Sequence, residues 1–165
     1  MSEKVTEKVV EPEVVHSTFV VEKNYPKEPE RVFAAFADPA KKRRWWAESD
    51  AHEIREFTMD FQLGGKDRLV YQFGPESPLP GMTITNEGFY QDIVKNRRIV
   101  MAQRMTLGEK RIMAALLTIE LLPARGGTDL ICTHQGAYFD WPQGAQSLEQ
   151  GWTGLIERLG KELSA

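Results

Sequence analysis

Hydrophobic positions along this chain change period several times, and each change marks an element. Residues 16–24 are rich in β-branched side chains and are followed by Pro26 and Pro29, the pattern of a strand that is then stopped. Pro29 suits the first position of a helix, Glu30 complements its dipole, and Val32, Phe33 and Phe36 share one face. Asp38-Pro39 ends this helix and opens a second, with Asp38 as cap and Trp45-Trp46 towards its end. From His52 onward the period is two. Residues 52–59, 66–73, 82–94, 97–105, 112–122 and 128–139 read as strands divided by glycine- and proline-rich punctuation. Connections this short join antiparallel neighbours, and the pairs Gly64-Gly65 and Gly126-Gly127 are expected to supply positive φ. Alternation in Thr118-Ile119-Glu120-Leu121 and in Leu130-Ile131-Cys132-Thr133-His134 gives the sheet one wet and one covered face. The cover is a C-terminal helix carrying the stripe Leu148, Trp152, Leu155, Leu159 and Leu163, with Ser147 and Gln150 as its capping box. The pattern predicts an α+β fold: a seven-stranded antiparallel sheet, two short helices after strand one, and a long C-terminal helix. Residues 1–15 mix Glu, Lys and Val around Pro12 without a period, so a flexible tail is expected there and one domain over 16–165.

Local residues sharpen this reading. Val32-Phe33, Ala37-Asp38-Pro39, Trp45-Trp46, Gly64-Gly65, Gly88, Thr118-Ile119-Glu120-Leu121, Gly126-Gly127-Thr128 and Gly151-Trp152 occur in this order. Together they resemble the family named for the activator of the heat-shock protein 90 ATPase, within the SRPBCC/START-like superfamily. The similarity runs from about Ser17 to Leu163. It implies a helix-grip fold, in which a curved sheet wraps a long helix and a cavity lies between them.

Composition adds limits. An apolar fraction of 41% with 10% aromatics can build one substantial core in 165 residues, whereas two domains would be cramped. Twenty-one basic against 24 acidic side chains leave a net charge of -3, so no nucleic-acid partner is expected. The longest apolar run, 112–122, is interrupted by Thr118 and Glu120 and falls short of the roughly 18 residues a membrane helix needs, so no membrane insertion is expected. Cys132 has no partner for a disulfide and the start Met1-Ser2-Glu3-Lys4 is not a secretion signal, which points to the cytoplasm.

Candidate chemistry is sparse. His16, His52 and His134 fall on different strands and Cys132 has no CxxC companion, so no metal is expected. There is no GxSxG elbow, P-loop or GxGxxG turn, and Cys132 on an apolar face reads as inert; no catalytic residue and no cofactor are assigned. The run Lys41-Lys42-Arg43-Arg44 reads as a solvated helical face rather than a nucleic-acid or membrane patch. Trp45 and Trp46 point about 100° apart on a helix, placing one ring on the sheet and the other near a pocket mouth. If Leu130 points inward, so do Cys132 and His134, and the neighbouring strand contributes Met113, Ala115, Leu117, Ile119 and Leu121. The candidate ligand-binding set is Trp45, Trp46, Tyr71, Phe73, Phe89, Met101, Met113, Leu117, His134, Tyr138 and Trp152. Within it, His134 is either a polar anchor for a ligand or a core histidine satisfied by a neighbour. Gly151 and Gly154 each cost about 1 kcal/mol in a helix, and close packing on the sheet is weighed ahead of room for a ligand as the reason. The leading functional reading is binding of a small hydrophobic molecule. Its rivals are a cyclase- or dehydratase-type enzyme using His134 or Tyr138 as acid or base, and a module that regulates a chaperone ATPase. A homodimer is left open.

Overall fold

The computed structural model describes residues 13–165, so residues 1–12 of the expected tail lie outside the described residues. The elements are β1 (Val14–Tyr25), α1 (Pro29–Ala37), α2 (Pro39–Lys42) running into a π-helical turn (Arg43–Ala47), β2 (His52–Met59), β3 (Lys66–Phe73), β4 (Thr83–Val94), β5 (Arg98–Leu107), β6 (Lys110–Ala124), β7 (Gly127–Phe139) and α3 (Gly144–Ser164). β1 therefore begins two residues before the expected boundary. The strands form one seven-stranded antiparallel sheet in the order β1-β7-β6-β5-β4-β3-β2. The chain lays down one edge, crosses through α1 and α2 to the opposite edge, and returns strand by strand. Register shifts at Ile54/Glu56, Tyr90/Asp92 and Met105/Thr106 mark bulges, which bend a sheet and sharpen its twist. The arrangement is the expected helix grip.

Asp38 caps α2 as its sequence position requires, its carboxylate accepting from the backbone N–H groups of Ala40 and Lys41. The capping box expected at Ser147 does not form. α3 starts a turn earlier, at Gly144, whose N–H donates to the Trp141 carbonyl, and Gln143 precedes it without a side-chain cap. Gly144 allows this early start because a Cβ there would collide with the rings of Tyr138 and Trp141. The glycine pairs also divide their roles differently from the expectation. Gly64 and Gly126 have φ of +77° and +78°, whereas a Cβ at Gly65 would strike the Asp60 carbonyl oxygen and one at Gly127 the Tyr25 carbonyl oxygen.

The core lies between α1, α3 and the β1–β7–β6 half of the sheet. Tyr25, Val32, Trp45, Ile119, Leu121, Leu130, Cys132, Ile156 and Leu159 are essentially sealed from water. Burying an aliphatic or aromatic side chain of this size contributes about 1.5–3 kcal/mol. From the predicted helix stripe, Trp152, Leu159 and Leu163 enter this core, while Leu148 and Leu155 stay half-buried and Ile156 takes an inward place. The principal neighbours of α3 are β1, the π-turn, α1 and β7. Arg44 pairs with Glu162 at 2.6 Å, and the Arg158 guanidinium donates to the backbone carbonyls of Arg44 and Glu48. The helix is thus fastened along one side of the sheet and stands off β3, β4 and β5.

Candidate functional site

That stand-off leaves a cleft of about 540 Å³. Its floor follows from strand alternation. Asp67, Leu69, Tyr71 and Phe73, at every second position of β3, all line it, joined by Ile84, Asn86 and Gly88 of β4 and by Met101, Gln103 and Met105 of β5. Met105 faces Met113 across the last regular pair before the β5–β6 bulge, and the extra residue there, Ile112, is buried as well. The roof is α3, through Leu148, Gly151, Trp152 and Leu155, and Trp46, Ser49 and His52 form part of the rim.

Among the residues singled out from sequence, Trp46, Tyr71, Phe73, Met101, Met113 and Trp152 meet in this wall. The others lie elsewhere. Trp45 turns into the core, where its indole N–H donates to the Ala35 carbonyl at 2.8 Å and its ring meets Phe36 edge-on. Phe89 sits on the opposite face of the sheet, because its neighbours Gly88 and Tyr90 are the inward positions of β4; Arg104 lies over its ring. Leu117, His134 and Tyr138 point inward as the alternation requires but lie outside the cleft wall. The His134 ring stacks on Phe19, 4.7 Å between centroids and 6° from parallel. It is fully buried, and among the described residues neither ring nitrogen has a side-chain partner of the kind that would satisfy a core histidine. Removal from water pushes its pKa down to about 4.

Gly151 and Gly154 are not packed closely. A Cβ at either would meet nothing within 4 Å, and Gly151 lines the cleft; the glycines of α3 that approach strands are Gly144, against the Tyr138 ring, and Gly160, against the Tyr25 ring. Close packing on the sheet, the reading given more weight from sequence, therefore does not account for Gly151, which faces open space. For the exposed Gly154 the structure offers no reason.

The principal feature missed from sequence is a buried polar cluster at the cleft. Lys42 and Asp67 are only 4% and 1% exposed, and Lys42 Nζ lies 2.5 Å from Asp67 Oδ2. The Tyr90 hydroxyl donates to the same oxygen at 2.5 Å, and Lys42 Nζ lies 4.8 Å from the centre of the Trp46 ring. Burial first, and the Asp67 charge second, hold the Tyr90 phenol far above its ordinary pKa, so it remains a donor. Asp67 Oδ1 is buried without a partner among the described residues. Lys42 is therefore not part of a solvated face. It lies three residues before Trp45, on the same inward side of the helical turn, while Arg43 and Arg44 are exposed. The phase of β3 could have revealed Asp67, since it shares a face with Leu69, Tyr71 and Phe73.

On the rim, His52 stacks on Tyr71 with 3.9 Å between centroids, and its Nε2 lies 2.7 Å from the Ala47 carbonyl oxygen. A carbonyl only accepts, so Nε2 carries the hydrogen. Burial pushes the Tyr71 phenol up to about 12 and the Cys132 thiol up to about 12, which leaves Cys132 without nucleophilic character.

The family described as Activator of Hsp90 ATPase homolog 1-like protein matches residues 26–164. The chain belongs to this family. Among solved structures, a protein from Rhizobium loti is 42% identical, with 90% of this chain and 98% of that one covered at a TM-score of 0.82. A putative uncharacterized protein from Rhizobium leguminosarum is 30% identical, with 92% and 96% covered and a TM-score of 0.83. A protein of unknown function from Staphylococcus aureus, 19% identical with a TM-score of 0.73 and coverage of 92% and 96%, shares the fold. No curated protein matches the chain. Among the described residues of this family member, no helix is long and apolar enough to cross a membrane.

Proposed function

We propose that this family member binds a small, predominantly apolar molecule in the cleft between the central strands and α3. The observation that carries the reading is the cleft itself. Its volume of about 540 Å³ falls within the roughly 300–1,000 Å³ of small-molecule sites, and aromatic, aliphatic and methionine side chains dominate its wall. Methionines at Met101, Met105 and Met113 give that wall side chains that adjust to a guest at little cost. Gly151 supports the same reading, since a helix former there would gain helix stability but narrow the space. His134 and Tyr138, the acid or base candidates of the enzymatic rival, are not among the residues of the cleft wall, although Tyr138 packs against Trp141, which is.

The test is a thermal-shift screen of fatty alcohols, sterols, flavonoids and fused-ring aromatics. Ligand at a hundredfold its Kd contributes about 2.7 kcal/mol, worth roughly 5–10 °C in a domain of this size. Gly151→Phe is the control: it should fold, fill the cleft and abolish the shift. A broad library without a hit, or hits that survive Gly151→Phe unchanged, would remove the proposal.

A further inference from the structure

Resting on that reading, we infer that the molecule is uncharged and presents a hydroxyl or N–H donor to Asp67 Oδ1. Asp67 is 1% exposed and belongs to the cleft wall. Its Oδ2 is taken by Lys42 and Tyr90, whereas Oδ1 has no partner among the described residues. A buried acceptor left unmade is a standing penalty that a donor arriving with the ligand removes.

The charges select among donors. Lys42 already balances Asp67 across 2.5 Å, so the pair presents almost no net charge to the cleft. A cationic ligand would meet Lys42 as well as Asp67, and a carboxylate ligand would be pressed against a carboxylate that is itself buried. A neutral hydroxyl or N–H needs no counterion. The hydrogens of Lys42 do not compete for the guest, because Nζ is engaged by Asp67 Oδ2 and lies 3.5 Å from the Tyr90 oxygen and 4.8 Å from the Trp46 ring centre.

Oδ1 is closed to water in this structure, so a donor reaches it only as a neighbouring side chain moves aside. Gly88 is the direct cross-strand partner of Asp67, so no side chain from that position screens the carboxylate. The space that a Cβ at Gly88 would occupy is used by the Met101 methyl, 2.5 Å from that point, the end of a side chain that rotates readily.

The experiment is calorimetric titration at neutral pH with β-naphthol, its methyl ether and β-naphthoate, which share a ring system and differ in donor and charge. β-Naphthol should bind at least ten times more tightly than the ether, and naphthoate more weakly than naphthol. The triple variant Lys42→Met/Asp67→Leu/Tyr90→Phe, which removes the cluster without orphaning a charge, should bind naphthol and ether equally. Equal binding of the two by the unmodified protein, a preference for naphthoate, or a naphthol preference that persists in the folded triple variant would each overturn the inference while leaving the cleft as a binding site. Binding of none of the three would remove the cleft reading and this inference together. Should the triple variant fail to fold, the ratio of naphthol to ether in the unmodified protein decides alone.

Discussion

Acidification should destabilise this protein through His134, and the effect can be isolated from every other titrating group. The imidazole is fully buried against Phe19, neither nitrogen has a side-chain partner among the described residues, and burial lowers its pKa from 6.5 to about 4. Between those values the unfolded chain binds a proton that the folded chain refuses, so stability rises with pH across that window and is lost as pH falls through it. With these two pKa values, moving from about pH 7.5 to about pH 5 removes about 2 kcal/mol, and the full loss below both values is about 3 kcal/mol. The perturbation is His134→Phe, which keeps a flat ring on Phe19 and deletes the titrating group. The larger ring shifts the whole stability curve by about 1–3 kcal/mol if the site is overpacked. That shift is the same at every pH, whereas the slope assigned to His134 disappears. Urea unfolding of both proteins at the two pH values measures it: the unmodified protein should lose about 2 kcal/mol more on acidification than the variant. His16, His52 and the carboxylates are common to both and cancel. Equal losses would refute the reasoning and show that the His134 ring finds a partner for its proton in the folded state.

Other substitutions test other parts of the structure. Lys42→Met or Asp67→Leu alone leaves a buried charge without its partner and should cost about 3–5 kcal/mol in chemical denaturation, whereas the triple replacement with Tyr90→Phe should stay far closer to the unmodified protein; singles as mild as the triple would show that water reaches the pair. Gly154→Ala should raise stability by about 0.5–1 kcal/mol, since the added methyl meets nothing and stiffens the helix, and a lowered melting temperature would contradict the open space above it. Gly65→Ala should be severely destabilising although its φ is unremarkable, because the clash is with the Asp60 backbone, and a variant that melts normally would disprove that approach. Gly88→Ala should fold but drive the Met101 methyl from its place, visible as a change in the Met101 methyl resonance.

The fold was legible because it is written in periods. Each strand of the returning series announces itself by alternation, and Leu159 and Leu163 follow Trp152 at helical spacing into the core. The cleft was only partly legible, since a wall and a core are made of the same residue types: nothing in the local sequence tells Met113 in the wall from Leu117 four residues on. That distinction depends on where α3 is fastened, which Arg44, Arg158 and Glu162 decide across separations of more than 100 residues. The polar cluster was hidden for a related reason. Lys42 stands in a run of four cations, Asp67 between Lys66 and Arg68, and Tyr90 beside Phe89, and only the fold brings positions 25 and 48 residues apart to one oxygen and its neighbours.

The pairing of β1 with β7 sets a timetable for synthesis. β1 leaves the ribosome early, yet its partner comes late: Asn24 and Asp129, which bond across the two strands, are 105 residues apart. At roughly 5–20 residues per second, β1 waits about 5–20 s before a partner exists. In that interval it is an unpaired strand bearing Val14, Val15 and Val20, which stay exposed even in the finished sheet. A chain interrupted before Gly127 leaves that strand permanently open to pairing with other chains, so truncated products of this protein should aggregate while the complete chain does not.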